Sequence, residues 1–209
     1  MHVGYFGLNV GAFDNPDSIE RLATTAEGVG FESVWTGEHV VLVDPQVPPS
    51  PVPPTSHFVA TVATLAFVAA KTQRIKIGSG ILLLAQRDPI VLAKELAGID
   101  VLSKGRLLVG VGVGYVAGEF EALGIPYAER GPRVTEHIEV LRTLWTQEKP
   151  AFEGRFSSFS GIQSRPLPVQ KPHPPIHVGG MSPPALRRAV AQGNGWYGFF
   201  QDLAATERM

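Results

Sequence analysis

Short runs of β-branched and aromatic residues alternate with amphipathic, helix-like segments along the whole 209-residue chain. This alternation is typical of parallel strands joined by crossover helices, and it predicts an α/β fold. The predicted strands cover residues 3–8, 31–36, 74–84, 107–113, 176–180 and 195–200, and the predicted helices cover residues 16–29, 58–71, 88–103, 130–146 and 183–192.

The number and spacing of these units favour a barrel. Six βα units in 209 residues fit the spacing of a TIM-like (β/α)8 barrel, which usually takes about 250 residues. We therefore predict a single, incomplete barrel domain over residues 1–209 that contains about six of the eight units. An open doubly wound sheet also accommodates six strands, and periodicity alone does not separate the two architectures.

One segment interrupts the alternation of strands and helices. Residues 151–161 place aromatic and polar residues in turn around Gly154, which is typical of a small solvent-facing hairpin. A proline-rich linker follows, and prolines lack the amide that a sheet interior requires. We predict that residues 151–162 are a small insertion in the barrel.

Polar residues and glycines mark where the helices begin and end. Asn15 or Asp17 can accept hydrogen bonds from the free amides at the start of the first helix. Gly105 follows the third helix, at a position where a left-handed cap is favoured.

Composition and charge remove several functional classes. The formal net charge is −1, so the chain lacks the basic excess that nucleic acid or an anionic membrane surface usually requires. With no cysteine, it has no disulfides, thiolate nucleophiles or iron–sulfur clusters. The start of the chain lacks the pattern of a secretory signal, and no apolar stretch approaches the roughly 20 residues of a membrane span. We expect a cytoplasmic protein that binds neither nucleic acid nor membrane.

Two residues able to handle protons, Glu38 and His39, lie just after the second predicted strand. The carboxyl ends of strands are where α/β folds place their chemistry. A histidine there can donate a hydrogen bond to a ligand or move a proton near neutral pH. The alternative is a histidine that only anchors the proline-rich loop after it. We take both residues as catalytic candidates.

Other catalytic signatures are weak or missing. No G-x-S-x-G elbow and no Walker sequence occurs. His173 and His177 are four residues apart, as in helical zinc sites. Pro172, Pro174 and Pro175 prevent a helix there, so we predict no metal site.

Three groups of glycines suggest places where the backbone approaches a ligand. Gly78 to Gly80 lie inside a predicted strand, which favours a bulge facing something flat, or a barrel corner. The run Gly110 to Gly114 is a weak dinucleotide fingerprint, because position 115 is tyrosine. Gly179 and Gly180 join a strand to a helix, where free amides can hold a phosphate. Such glycines also occur for backbone reasons alone.

Several segments, taken in order, resemble the bacterial-luciferase-like superfamily of flavin and deazaflavin oxidoreductases. These segments are FESVWTGEH, RIKIGSGILLLAQRDPIVLAKELAGIDVLSKGRLLVGVGVG, EFEALG, HIEVLRTLW and PPIHVGGMSP. The branch that uses the deazaflavin coenzyme F-420 is the most similar. The resemblance implies a TIM-like barrel, usually a homodimer, with the cofactor at the carboxyl ends of the strands. Family members continue for two further βα units, so this chain is expected to be shorter than a whole barrel.

The same resemblance implies a function and its alternatives. An oxidoreductase of this kind transfers hydride between coenzyme F-420, or FMN as the alternative cofactor, and a small-molecule organic substrate. An FMN-dependent monooxygenase is the alternative activity. A non-catalytic flavin-binding or assembly protein is the alternative of a different class, and binding without turnover would favour it.

The resemblance also assigns site residues position by position. His39 would contact the cofactor ring, and a bulge with a cis peptide between Gly80 and Ile81 would lie behind it. Tyr115 stands where a sugar-phosphate-oxidising branch has a catalytic glutamate, which disfavours that reaction because tyrosine, with a pKa of about 10, is a poor base. The implied cofactor-binding residues are His39, Ser79, Gly80, Ile81, Val113, Tyr115, Gly179, Gly180 and Ser182.

Overall fold

Strands and helices follow one another in the predicted order. The structure, a computed structural model, describes residues 2–199 and also Asp202, Ala204 and Thr206. Its first half contains β1 (Gly4–Phe6), α1 (Pro16–Gly28), β2 (Ser33–Thr36), α2 (Thr61–Lys71), β3 (Lys76–Ser79), β4 (Leu82–Leu83), α3 (Pro89–Leu102) and β5 (Leu107–Gly112). Its second half contains α4 (Ala117–Ala122), α5 (Arg130–Thr146), β6 (Phe152–Glu153), β7 (Ser158–Phe159), β8 (Ile176–Gly179), α6 (Pro183–Gln192) and β9 (Gly195–Tyr197).

The main sheet is parallel, and its strand order decides the architecture. The strands run β1-β2-β3-β5-β8-β9, and β4 pairs with β5 beside β3. A doubly wound sheet reverses direction around its first strand, whereas this order follows the sequence throughout. The prediction of six units of a TIM-like barrel is therefore confirmed, and these strands form half of a barrel.

One face of the sheet packs on the helices and forms the hydrophobic core. Val34 aligns with Ile77 on the next strand, and Val111 aligns with Val178. These side chains have no exposed surface and share a cluster with apolar residues of α2, α3 and α5. Burying each one contributes roughly 1.5–3 kcal/mol. We call this side of the sheet the outer face.

The opposite side, which we call the inner face, combines glycines with aromatic rings. Gly78 aligns with Trp35, and His177 aligns with Gly110 on one side and Gly195 on the other. The Trp35 ring lies 5.7 Å from His177 and 5.3 Å from Tyr197, measured between ring centroids. A Cβ at Gly78 would overlap the Trp35 ring, so glycine is what lets the rings lie against the sheet. Gly112 and Gly179 lie on the same face, and Gly80 follows directly after β3.

The predicted strand over residues 74–84 is wrong as one continuous strand. β3 ends at Ser79, the two residues of β4 pair with β5, and residues 84–86 form a 3-10 turn. The peptide between Gly80 and Ile81 is cis, as the resemblance implies. The glycines therefore mark a bulge within this segment, as predicted.

Other element boundaries also differ from the prediction. β1 ends at Phe6 because Gly7 has a positive φ of 94°. The second helix begins at Thr61 and not at residue 58, since Phe58 forms a bridge with Val10. The last predicted strand ends at Tyr197, and its predicted end at Phe200 lies outside the described residues.

Several local predictions are confirmed. Asn15, and not Asp17, caps α1: its Oδ1 accepts from the Ser18 amide at 3.0 Å. Gly105 adopts the left-handed conformation with φ of 80°. Strands β6 and β7 form the antiparallel hairpin predicted within residues 151–162.

Across the described part of the chain, no helix is both long and apolar enough to cross a membrane.

Candidate functional site

The predicted site residues come together at one edge of the sheet. They follow β2, β3, β5 and β8, and these parallel strands all end on the same side. His39 and Tyr115 lie with ring centroids 6.4 Å apart. The Ile81 side chain packs against Gly112 and Gly179, where a Cβ at either position would meet it. This edge therefore joins the ring and phosphate regions that the resemblance implies.

His39 is held in one orientation by a buried carboxylate. Its Nδ1 is bonded to Oε1 of Glu119, and its ring packs edge-on against Phe58 at 5.0 Å between centroids. The side chains of His39 and Glu119 are 10% and 1% exposed. A carboxylate oxygen only accepts hydrogen bonds, so Nδ1 is the donor in this pair. The nitrogen left for a ligand is Nε2, which has no partner within the described part of the chain.

Glu119 and Gln86 were missed in the sequence analysis. The second carboxylate oxygen of Glu119 accepts from Gln86 Nε2 at 3.0 Å, and Gln86 comes from the 3-10 turn after β4. Glu119 lies on α4, a helix that the sequence did not predict there. The only available signal was a glutamate inside the apolar EFEALG segment, since a buried glutamate needs a partner.

Tyr115 borders this cluster. Its side chain is 44% exposed, and its backbone oxygen accepts from the Tyr127 hydroxyl at 3.1 Å. Partial burial, followed by the charge of Glu119, raises the pKa of the Tyr115 phenol above its ordinary value. The phenol therefore stays protonated at neutral pH and can donate a hydrogen bond to a ligand.

Glu38 has donors on both of its carboxylate oxygens. Oε2 accepts from the Leu83 amide at 2.6 Å, and Oε1 pairs with the Arg87 guanidinium. The side chain is 3% exposed. This geometry favours a role for Glu38 in fastening the loop after β4 to the end of β2. Its catalytic role stays a prediction.

Ser79 fixes the bulge to the neighbouring strand. Its buried hydroxyl donates to the Gly110 carbonyl at 2.8 Å and accepts from the Gly110 amide at 2.9 Å. The Gly80 amide donates to the Thr36 carbonyl at 2.9 Å. The side chain of Ser79 is thus occupied within the protein, and what the bulge can offer a cofactor is its backbone and the Ile81 side chain.

The turn from β8 into α6 offers fewer amides than its glycines suggest. Gly180 has a φ of 116°, and its amide faces the Tyr197 carbonyl at 3.4 Å. Pro183 and Pro184 open α6, and proline has no amide hydrogen to donate. Ser182 keeps its hydroxyl free of any cap bond. An anion at this turn must therefore obtain further donors from elsewhere.

A groove of about 730 Å³ lies beside this turn. Val113 and Ser182, two of the predicted cofactor-binding residues, line it together with the first turns of α5 and α6. The groove therefore connects the end of β5 with the turn between β8 and α6.

Known proteins resemble this chain in sequence. A family model described as luciferase-like monooxygenase matches residues 1–209. The chain is 38% identical over 131 residues to the FMNH(2)-dependent dimethylsulfone monooxygenase of Pseudomonas putida, and that match covers 61% of this chain and 36% of the enzyme.

Solved structures share its fold. The monooxygenase RslO1 from Streptomyces bottropensis matches with a TM-score of 0.76 at 33% identity, covering 91% of this chain and 57% of RslO1. An F420-dependent secondary alcohol dehydrogenase in complex with an F420-acetone adduct matches with a TM-score of 0.77, covering 93% of this chain and 57% of that enzyme. Its identity of 24% shows a common fold alone. The chain spans 57% of the length of each of these two structures.

Proposed function

Because this chain belongs to the luciferase-like monooxygenase family, we propose that it is an oxidoreductase that transfers hydride between a deazaflavin or flavin cofactor and a small organic substrate. Coenzyme F-420 is the proposed cofactor and FMN the alternative, since the similar proteins include enzymes named for each. The observation that carries the proposal is the fixed His39 ring, with Nδ1 bonded to buried Glu119 and Nε2 available at the carboxyl edge.

The polar groups at this edge fit such a cofactor at both of its ends. At the ring end, His39 Nε2 and the Tyr115 phenol lie beside the bulge formed by Ser79, Gly80 and Ile81. At the phosphate end, the residues available are Val113, Gly179, Gly180 and Ser182.

The chain itself positions the reactants and handles the proton. When bound, a deazaflavin or flavin supplies the group that accepts or donates hydride. His39 is then placed to accept at Nε2 the proton that a substrate hydroxyl loses as its carbon gives up hydride. Glu119 holds the ring in the tautomer that leaves Nε2 unprotonated, and Gln86 holds Glu119.

Titration of the purified protein with F-420 and with FMN tests this proposal. We expect saturable micromolar binding of F-420, followed by changes in deazaflavin fluorescence, and weaker binding of FMN. Binding of neither compound would overturn the proposal. Tight F-420 binding with no hydride transfer, either from alcohols to oxidised F-420 or from reduced F-420 to aldehydes and ketones, would favour the flavin-binding or assembly protein.

An FMN-dependent monooxygenase is the second candidate function. The similarity to the P. putida dimethylsulfone enzyme and to RslO1 supports it, because both are named as monooxygenases. Substrate-dependent oxygen uptake with reduced FMN, and its absence with reduced F-420, would select this activity over hydride transfer.

We also propose a cytoplasmic homodimer. Three apolar side chains of α3, Val91, Val101 and Leu102, are exposed, and they are the candidates for a dimer contact on this helix. The lack of cysteine suits a reducing compartment. Light scattering during gel filtration checks the dimer, and Leu102→Glu should shift it toward the monomer.

A further inference from the structure

A groove lined by two arginines that have no carboxylate partner among the described residues lies between the first turns of α5 and α6 and the β6–β7 hairpin. It measures about 730 Å³, and Arg130, Arg188, Thr135 and Ser182 all line it. Pockets of about 300–1,000 Å³ accept drug-sized molecules, so this groove exceeds what a single phosphate group requires. We call it the arginine groove.

The two guanidinium groups are held by neutral partners alone. Arg130 lies 3.8 Å from the Tyr127 ring centroid and donates to the Tyr127 carbonyl at 2.9 Å. Arg188 donates to Thr135 Oγ1 and to the Gly131 carbonyl, both at 3.0 Å. Over the described ranges, neither guanidinium lies within 4.0 Å of a carboxylate. Partial burial lowers the pKa of the Arg188 guanidinium from its ordinary value.

The carboxylates that line the groove are already occupied. Glu136 accepts from the amides of three hairpin residues, at 2.7 to 2.8 Å. Glu139 accepts from Arg142 at 3.4 Å and from Gln192 at 2.7 Å. A third lining guanidinium, that of Arg155, is paired with Glu129. The lining therefore holds three guanidiniums against two carboxylates, and the unused donors belong to Arg130 and Arg188.

The position of the groove indicates which anion it takes. Ser182 lies in both the phosphate turn and the groove lining, so the groove begins where a cofactor phosphate would lie. Pro183 and Pro184 remove two amide donors from that turn, so the guanidiniums beyond it are the main charged donors on this side of the groove. Guanidinium groups also bind carboxylates through two parallel hydrogen bonds.

We propose that the arginine groove binds the carboxylate-bearing tail that follows the phosphate of F-420, and so selects F-420 over FMN. This inference rests on the proposed function. FMN ends at its phosphate and has no carboxylate for these guanidiniums to bind. The tail of F-420 adds carboxylates beyond the phosphate, and Arg130 and Arg188 are placed to bind them.

Four compounds separate the contributions that the cofactor ring, phosphate and tail make to binding affinity. They are riboflavin, FMN, the phosphate-free deazariboflavin, and F-420 with its oligoglutamate tail. Calorimetry or fluorescence titration measures the affinity of each without any turnover. We expect F-420 to bind at least 10-fold more tightly than deazariboflavin, and the affinity of FMN to exceed that of riboflavin by a smaller factor. The affinity advantage of F-420 over deazariboflavin should decrease in high salt, because it is largely electrostatic.

Variants assign that gain to the groove. Arg130→Gln and Arg188→Gln should each weaken F-420 binding about 10-fold, the usual size for a lost hydrogen bond to a charged group. Deazariboflavin and FMN binding should not change, because neither compound has the tail, and a loss of FMN affinity would place the arginines at the phosphate instead. Arg187→Gln is the matched control, since Arg187 is exposed on the same helix and outside the groove lining. Thermal melts show whether each variant folds, and Arg130→Gln removes only contacts within its own turn.

The outcomes separate the two proposals. Suppose that riboflavin or deazariboflavin binds but F-420 binds no more tightly than deazariboflavin. The groove assignment is then wrong and the proposed function stands. The same conclusion follows if both arginine variants keep full F-420 affinity. If none of the four probes binds, the proposed function and the groove assignment both fail.

Discussion

The two faces of the main sheet are built from different residues. On the outer face, aliphatic side chains such as Val34, Ile77 and Val178 have no exposed surface and pack on the helices. On the inner face, glycines such as Gly78 and Gly110 alternate with rings, and Trp35, His177 and Tyr197 all remain partly exposed. The outer face stabilises the fold through buried aliphatic side chains, and the inner face allows flat groups to approach the backbone closely.

The difference teaches where substitutions should change stability and where they should change function. Aliphatic burial contributes in proportion to the apolar area removed from water, so the outer face should tolerate no loss of volume. The inner face should tolerate no gain of volume, because its glycines are already in contact with neighbouring atoms. The cluster around His39 lies at the edge where both faces end.

Removing volume from the outer face should have the largest effect. Ile77→Ala should lower the free energy of unfolding by about 4 kcal/mol, because it removes buried methyl groups and leaves a cavity. Urea unfolding followed by circular dichroism measures this. Ile77→Val should cost only about 1 kcal/mol. A loss below 1 kcal/mol for the alanine variant would show that this face is not tightly packed.

Adding volume to the inner face should come next. A Cβ at Gly110 would overlap the Ser79 carbonyl oxygen, which belongs to the backbone and cannot rotate away. Gly110→Ala should lower the free energy of unfolding by about 3 kcal/mol. Gly98→Ala is the matched control: Gly98 lies in α3 with open space around it, and alanine there should stabilise the protein by about 0.5–1 kcal/mol. Equal effects at both positions would contradict this picture.

At the site, His39→Ala should separate catalysis from binding. Cofactor affinity should fall only by the equivalent of about 1 kcal/mol, the net contribution of one hydrogen bond. Turnover should fall about 100-fold or more, the usual size of a general acid–base effect. Titration gives the affinity, and stopped-flow single-turnover kinetics gives the rate. Equal losses in both quantities would show that His39 only positions the cofactor, and Glu38 would become the leading proton-handling candidate.

The smallest expected effect concerns Glu119. Glu119→Gln keeps the shape of the side chain and removes the charge that orients His39, so the single-turnover rate should fall about 10-fold. The ¹⁵N spectrum of histidine-labelled protein should show His39 protonated at Nδ1 in the original chain and a mixture of tautomers in the variant. Identical spectra would mean that Glu119 does not orient the ring.

Much of the fold was predictable from the sequence because it depends on local patterns. Alternating segments predicted the parallel strands, the family resemblance predicted their barrel order, and Asn15 and Gly105 marked the ends of helices correctly. The break after Ser79 was predicted only as a bulge, because runs of apolar residues do not show where pairing stops.

The site was only partly predictable, because it depends on contacts between distant segments. Glu119 is 80 residues from His39 in the sequence, and Gln86 comes from a turn that no periodic pattern marks. The arginine groove likewise requires α5 and α6 to lie side by side. In the turn between β8 and α6, the loss of amide donors at Pro183 and Pro184 was visible in the sequence, whereas the contact of the Gly180 amide with the Tyr197 carbonyl was not.

The central claim is that the carboxyl edge binds an anionic deazaflavin or flavin cofactor with its phosphate at Ser182. Titration of F-420 into Ser182→Asp and Ser182→Asn tests it most directly, because aspartate and asparagine are both good caps for α6 and differ in charge. We predict micromolar binding to the original chain, near-normal binding to the asparagine variant and at least 10-fold weaker binding to the aspartate variant, by charge repulsion. Equal F-420 affinity of the two variants would contradict the account.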